Sequence, residues 1–317
     1  MQLEDIKNIA VVGAGLMGHG IGLAYALGGY RVTLNDLNEA ILDKAIANIK
    51  SNLEMLQEHK VISKEAISAT LSRINTNSNL REAVAQADFV TEAVLEDLEL
   101  KRKLFKELDL YSPKQAILAS NTSSLLISDF GSEVKREGKV VITHWFNPPH
   151  LVPVVEIVCG NNTSPETAKV TYALLKKINK IPIRVAKEIP GFLVNRVQMA
   201  LIREVWSLWE MGIASAEDID LAVKGSMGLR LASMGPLEIC DLGGLDLWFK
   251  VAQNLFKEIN SSLEPPQLLK EKIERGEKGL KSGRGFFDAK AKWEEKVKER
   301  DTALIQMLKL LYWAKGK

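Results

Sequence analysis

Ile9-Ala10-Val11-Val12-Gly13-Ala14-Gly15-Leu16-Met17-Gly18-His19-Gly20-Ile21-Gly22-Leu23 is the stretch from which the fold of the chain is read. Its four apolar residues, three of them β-branched, suit a strand buried on both faces. A glycine-rich turn follows, then a helical stretch. In such a strand–turn–helix Gly13 permits the tight turn, Gly15 lets backbone approach a pyrophosphate, and Gly18 lets helix pack closely on strand. Leu16 and Met17 belong to the same turn, where the helix amino terminus offers N–H groups and a positive dipole end to phosphates. The next strand-like run, Arg31 to Asn35, ends at Asp36, 18 residues beyond Gly18. A carboxylate there accepts hydrogen bonds from both adenosine ribose hydroxyls and repels a 2′-phosphate, and no arginine immediately follows it. These residues predict a dinucleotide site that prefers NAD to NADP.

Ile9 to Tyr30 is apolar except for His19 and long enough to span a bilayer. Seven glycines among those 22 residues, preceded by the acidic Glu4 and Asp5, mark it instead as soluble core. The whole chain has 317 residues, which suggests two domains of about 150 residues each. At 46% hydrophobic and 26% charged residues it is neither disordered nor a disulfide scaffold. Lysine plus arginine (42) nearly balance aspartate plus glutamate (40), so no overall field attracts nucleic acid or an anionic membrane. A small-molecule partner is expected. Cys159 and Cys240 stand far apart, without a second thiol to make a redox or zinc pair, which fits a reducing compartment, the cytoplasm.

Further apolar runs recur at Phe89 to Val94, Ala116 to Ala119, Val140 to Thr143, Val154 to Val158 and Ile181 to Val185. Helical patterns separate several of them, which predicts an α/β fold: a Rossmann-type, mostly parallel sheet. Residues 38–80 read as charged amphipathic helix throughout, more than one crossover needs, and predict a helical hairpin projecting from the sheet. After Lys187-Glu188-Ile189-Pro190 strand-like runs stop, and Phe192, Leu193, Val197, Leu201, Val205 and Leu208 recur at helical spacing. The expected domains are therefore 1–188, the NAD-binding Rossmann domain with a helical insertion near 38–80, and 189–317, an all-helical domain. Near the carboxyl terminus Trp293, Val297, Leu304, Met307 and Leu311 form the apolar stripe of a solvated amphipathic helix.

Ser120-Asn121-Thr122-Ser123-Ser124 and His144-Trp145-Phe146-Asn147-Pro148-Pro149 each follow a buried strand, where open α/β sheets place ligand-binding groups. Glu156 falls inside the apolar run Val154 to Val158, where an unpaired charge is costly. A histidine at a strand's end and a buried glutamate suggest an imidazole base oriented by a carboxylate, as needed to take a proton from an alcohol. The residues alone also allow an edge strand with Glu156 in solvent and His144 as a satisfied core histidine. A metal held by His144, His150 and Glu156 is a third reading, weakened by Pro148-Pro149, which denies the histidines a shared helical face.

The glycine turn, Thr91-Glu92-Ala93-Val94-Leu95-Glu96 followed by Lys101, Ser120 to Ser124, His144 to Pro148, Pro190-Gly191-Phe192-Leu193-Val194-Asn195-Arg196 and Met234-Gly235-Pro236-Leu237-Glu238 together resemble the L-3-hydroxyacyl-CoA dehydrogenase family over nearly the whole chain. The resemblance implies a nucleotide-binding domain, a substrate and dimerisation role for the all-helical domain 189–317, which forms a homodimer, and an active site between the two. It implies His144 as catalytic base, Glu156 as its carboxylate partner, and Ser123 and Asn195 as the polar residues completing the site. Ala93, Glu96, Lys101 and Asn121 match positions that line the NAD pocket, and no metal is implied.

For substrate the resemblance divides. Asn147 to Pro153, Gly228-Leu229-Arg230 and Arg300-Asp301 are similar to the branch containing lambda-crystallin, gulonate 3-dehydrogenase and carnitine dehydrogenase, which act on free 3-hydroxy acids. Ser120 to Ser124 and Gly279 to Asp288 resemble short-chain 3-hydroxybutyryl-CoA dehydrogenases. The expected function is NAD-dependent oxidation of a short-chain L-3-hydroxyacyl-CoA in fatty acid metabolism, with a free-acid dehydrogenase or an idle NAD-binding structural protein as alternatives. Asn147 and Arg230 join Ser123 and Asn195 as candidate substrate-binding residues. If the substrate is a CoA ester, its phosphates would meet Lys50, His59, Lys60 and Lys64 on the projecting helical segment, residues that read equally as an ordinary solvated face.

Overall fold

A computed structural model describes residues 1–131, 134–288 and 292–313. The chain divides into two compact units, Met1–Arg196 and Val197–Lys317. The division falls a few residues beyond the Lys187–Pro190 turn because Phe192 is fully buried in a core of the first unit.

The first unit is built on eight strands: β1 (Asn8–Val12), β2 (Arg31–Asn35), β3 (Ile74–Asn77), β4 (Phe89–Glu92), β5 (Ile117–Ser120), β6 (Val140–Trp145), β7 (Val154–Val158) and β8 (Ile181–Val185). They form one sheet in the order β3-β2-β1-β4-β5-β6-β7-β8. Every neighbouring pair is parallel except β6 and β7. The helices are α1 (Gly18–Leu27), α2 (Glu39–Glu58), α3 (Lys64–Leu71), α4 (Leu80–Val84), α5 (Leu98–Tyr111), α6 (Ile127–Phe130) and α7 (Pro165–Lys177).

The two-residue strand period sorts the buried side chains into two cores. Ile9, Val11, Phe89, Ile117, Val141, Trp145 and Val155 pack with α1, α2 and α7. Ala10, Val12, Val90, Leu118, Val140 and Ile142 pack with α4, α5 and α6. Covering helices on both faces explain why these strands read as continuous apolar runs rather than alternating ones.

Residues 38–80 differ from expectation in two ways. The long helix α2 buries Leu42, Ala45, Ile49, Leu53 and Leu56, and four of these belong to the sheet's core, so its apolar face lies on the body of the unit. The segment also ends in a strand: β3 pairs in parallel with β2 at the sheet edge. Ile74-Asn75-Thr76-Asn77 buries only Ile74, and an edge strand this polar carries no apolar alternation to betray it.

The second unit is helical: most of α8 (Val194–Glu210), α9 (Ala216–Ala222), a π-helical turn at Val223–Gly228, α10 (Leu229–Leu231), α11 (Pro236–Gly243), α12 (Leu245–Leu255), α13 (Gln267–Glu274) and α14 (Trp293–Leu308). Helix α8 starts at Val194, not at Pro190, because Gly191 and Phe192 both adopt positive φ, +77° and +48°, which breaks the helical path. In α14 the inward face is Asp301, Ile305 and Leu308, whereas Trp293 and Met307 of the expected stripe are exposed. No helix among the described residues is long and apolar enough to cross a membrane.

Candidate active site

The turn after β1 has the geometry its glycines require. Gly13 adopts φ +93°, and a Cβ there would lie 2.6 Å from the Ala93 carbonyl oxygen at the end of β4. A Cβ on Gly18 would sit 1.7 Å from the Gly13 carbonyl oxygen, so the first turn of α1 closes directly on the glycine loop. A Cβ on Gly15 would meet nothing within 4 Å, which is the open backbone face a diphosphate needs. Leu16 is 62% exposed beside it and Met17 is half-buried. Asp36 Oδ2 accepts a hydrogen bond from the Ala14 backbone N–H at 2.9 Å, which ties the acid at the end of β2 to the same loop. Strand order reverses between β1 and β4, the place where open α/β sheets bind ligands. The donor set, cradle and acid fit a dinucleotide.

Glu92, Ser120, His144 and Glu156 lie on one face of the sheet, fixed by register. Glu92 pairs with Val12 and Ser120, Ser120 with Ile142, and His144 with Glu156 across the antiparallel β6–β7 pair. Since directly paired residues share a face, this is the α4–α6 side of the sheet.

Glu92, at the end of β4, is fully buried. Its Oε1 accepts from Lys101 Nζ at 2.6 Å and from the Val94 N–H at 2.8 Å, and its Oε2 from Ser120 Oγ at 2.5 Å. Lys101, on the first turn of α5 and itself 1% exposed, also lies 3.3 Å from Glu96 Oε2. Glu96 Oε1 in turn gathers the strand β5 loop, accepting from the Ser123 N–H at 3.0 Å, the Ser124 N–H at 3.1 Å, Ser124 Oγ at 2.9 Å and the Thr122 hydroxyl. Desolvation pushes the Glu96 carboxyl upward, but the Thr122 hydrogen bond, the Lys101 charge and the Ser124 and Ser123 bonds outweigh it and hold it below the ordinary range.

His144 is 4% exposed and Glu156 fully buried, and His144 Nδ1 lies 2.6 Å from Glu156 Oε2. Glu156 Oε1 accepts from the backbone N–H groups of Leu193 and Val194, each at 2.9 Å, at the amino terminus of α8. The positive φ of Gly191 and Phe192 turns those two amides onto the carboxylate. Burial raises the Glu156 carboxyl, but the His144 bond and the two amides more than offset it, so the group stays below its ordinary pKa. An ionised carboxylate can only accept, which assigns Nδ1 as the donor, and in the neutral imidazole Nε2 then keeps its lone pair. The rings of Phe146 and Phe192, 4.5 and 5.4 Å from the imidazole centroid, wall it in.

Asn195 Nδ2 donates to the Ser123 carbonyl oxygen at 3.4 Å, so four of the expected site residues join in one chain of contacts: His144 to Glu156, Glu156 to the start of α8, and Asn195 back to Ser123. Asn121 Oδ1 accepts from the Trp145 N–H at 2.9 Å and braces β5 against β6. The loop beyond His144 is bolted by buried Lys180, whose ammonium donates to the carbonyls of Pro149 (2.6 Å) and Val152 (2.8 Å) and lies 5.4 Å over the Trp145 ring. Desolvation lowers its pKa to about 7. Asn147 is exposed and precedes a cis peptide to Pro148. Arg230 belongs to the second unit, exposed, its Nε donating to the Ser226 carbonyl at 3.3 Å.

Glu92 and the amides of Leu193 and Val194 carry no functional reading in the sequence. Glu92 ends a buried strand-like run as Glu156 interrupts another, the same signal of an acid with an internal partner. The amides leave no signal, because any residue supplies an N–H.

Two family models divide the chain between them: 3-hydroxyacyl-CoA dehydrogenase, NAD binding domain, matches residues 8–189, and 3-hydroxyacyl-CoA dehydrogenase, C-terminal domain, matches residues 191–289. A 3-hydroxybutyryl-CoA dehydrogenase of Clostridioides difficile is 36% identical over 89% of this chain and 99% of its own. Lambda-crystallin of Oryctolagus cuniculus is 39% identical over 74% of each chain. A crystal structure of 5-formyl-3-hydroxy-2-methylpyridine 4-carboxylic acid 5-dehydrogenase, described as an NAD+ dependent dismutase, superposes with TM-score 0.91 at 30% identity, over 98% of this chain and 99% of that one. With the glycine cradle, the acid at the end of β2 and both family domains in place, the chain belongs to the 3-hydroxyacyl-CoA dehydrogenase family of NAD-dependent enzymes.

Proposed function

We propose that this enzyme oxidises the 3-hydroxyl of a short-chain L-3-hydroxyacyl-CoA to the 3-keto thioester, a step of fatty acid metabolism. The observation that carries the reading is the buried His144–Glu156 pair with its Nε2 lone pair unspent. NAD, when bound, supplies the hydride acceptor for C3. His144 Nε2 takes the hydroxyl proton as the C–H bond breaks, which spares a free alkoxide, and the imidazolium that forms is stabilised by Glu156. The amides of Leu193 and Val194 keep the carboxylate ionised, so the proton rests on imidazole rather than passing to Glu156. Ser123 and Asn195 hold the reacting oxygen or the neighbouring carbonyl, and Gly13, Gly15, Leu16, Met17, Gly18, Asp36, Ala93, Glu96, Lys101 and Asn121 hold the cofactor. A catalytically idle binding protein would have no need of this intact set.

A second reading, a free hydroxy acid as substrate, is favoured by the whole-length likeness to a dehydrogenase of a pyridine carboxylic acid. Its carboxylate would be met by Arg230, whose guanidinium binds carboxylates bidentately. The experiment is kcat/KM for 3-hydroxybutyryl-CoA against 3-hydroxybutyrate, gulonate and carnitine, in wild type and in Arg230→Met. The thioester is expected to win and to be indifferent to Arg230→Met. A free acid that wins in wild type and loses selectively in the variant establishes the second reading.

The oligomer in this proposal is a homodimer through the second unit. Its support is the uncovered apolar surface of α11 and α12, with Leu237 81%, Leu242 72% and Phe249 64% exposed. Two separate free cysteines support a cytoplasmic location.

A further inference from the structure

The buried ion group at the end of β4 has a charge that the reaction scheme leaves unused. Glu92 accepts from three donors, the Lys101 ammonium, the Val94 N–H and the Ser120 hydroxyl, with both carboxylate oxygens engaged. Glu96 accepts four hydrogen bonds through one oxygen and faces Lys101 with the other. Two carboxylates thus share one ammonium, and the group carries one net negative charge. Glu92 is 0% and Lys101 1% exposed, whereas Glu96, which brings the uncompensated charge, is 36% exposed and partly screened by solvent.

The sheet topology says what lies above this charge. Strand order reverses between β1 and β4, and a dinucleotide spans that crevice with one half on each side. Asp36 at the end of β2 marks the adenosine half. The nicotinamide half would therefore lie on the β4 side of that crevice, the side on which Glu92, Ser120 and His144 stand at the ends of β4, β5 and β6. That ring is a cation when oxidised and neutral when reduced.

We propose that Glu92, Lys101 and Glu96 act as a charge selector for the cofactor's redox state, their net negative charge favouring the oxidised, cationic nicotinamide over the reduced one. Lys101 is the counterweight that keeps the preference moderate, so that product cofactor still binds. Glu96 has a second duty, since the same carboxylate shapes the Ser123 loop. The two duties are separable by experiment, because shaping a loop affects both redox forms alike whereas a charge does not.

The test measures Kd for NAD+ and for NADH by direct titration at constant ionic strength, in wild type, Glu96→Gln and Lys101→Met, with no turnover required. A unit charge about 12 Å from the ring, at an effective dielectric of about 20, moves such an equilibrium about tenfold. In Glu96→Gln the ratio Kd(NAD+)/Kd(NADH) is expected to rise about tenfold as the group becomes neutral. In Lys101→Met, where the group gains a second negative charge, the ratio is expected to fall by a similar factor. A ratio that stays at the wild-type value in both, or moves in the same direction in both, overturns the proposal. Should Lys101→Met not fold, Glu96→Gln decides alone: its side chain is 36% exposed, and an unchanged ratio in it is sufficient refutation.

Discussion

The two units of this chain treat their apolar groups differently, although each buries a matched charge, the second at Asp301 beside Arg300. In the first, charged side chains are buried and matched: Glu92 with Lys101, Glu156 with His144, Lys180 with two carbonyls, while apolar side chains fill two cores. In the second, α8, α11 and α12 contain no buried residue, and Leu237, Phe256 and Leu263 are 81%, 74% and 97% exposed. A buried ion pair is weak evidence for stability, since desolvation consumes most of its attraction. Such pairs persist where their geometry is put to use. Exposed apolar surface on this scale is equally informative, because water penalises it at about 25 cal/mol per Å². The first unit concentrates buried, matched charge around His144, and the second leaves large apolar side chains exposed.

The sharpest way to break this contrast is to remove the matched charges. His144→Gln is expected to lower kcat at least about a hundredfold, equivalent to ~2.7 kcal/mol of barrier, with the Kd for NAD unchanged. Turnover near wild type would refute the base assignment. Glu156→Gln should cost a similar factor and also lower Tm, because the Leu193 and Val194 amides lose their charged acceptor. The pH dependence follows from the same bonds. The folded Glu156 carboxyl lies below its ordinary pKa, so its stabilisation is present above the unfolded value of about 4.3 and is lost as pH falls through the folded one. Thermal scans between pH 7 and acid should show that loss in wild type and a smaller one in Glu156→Gln.

Asp36 tests whether the glycine cradle discriminates as well as binds. Removing a charged acceptor should reduce the kcat/KM preference for NAD over NADP by about tenfold in Asp36→Ala. A wild-type enzyme that uses NADP equally well would overturn the selectivity.

The smallest effect, a factor of two in mass, sharpens the reading of the second unit. Light scattering of the wild type at micromolar concentration is expected to report a dimer, and the combination Leu237→Glu and Phe249→Lys a monomer with its first-unit fold retained. A monomeric wild type would leave the exposed apolar surface without a partner of its own kind.

Much of this was legible because its causes are local. The strand–glycine–helix of Ile9 to Leu23 and the acid at Asp36 follow from short-range sterics and hydrogen-bonding needs, and they suffice for the sheet class and the cofactor. His144 and Glu156 could be suspected from position alone, one after a strand and one inside an apolar run. Their pairing needed the antiparallel register of β6 and β7, which no local pattern encodes. The edge strand Ile74–Asn77 stayed hidden for a related reason: one buried residue in four leaves no periodicity, and only pairing with β2 makes it a strand. Helix α8 begins at Val194 rather than at the proline because a buried aromatic, Phe192, holds the chain in a left-handed turn against the imidazole. Local sequence thus determined which residues are strand, cradle and candidate acid or base, since propensity and charge act over a few residues. The tertiary structure alone decided who meets whom, since contacts between residues 12, 37 or 72 positions apart depend on how the whole sheet closes.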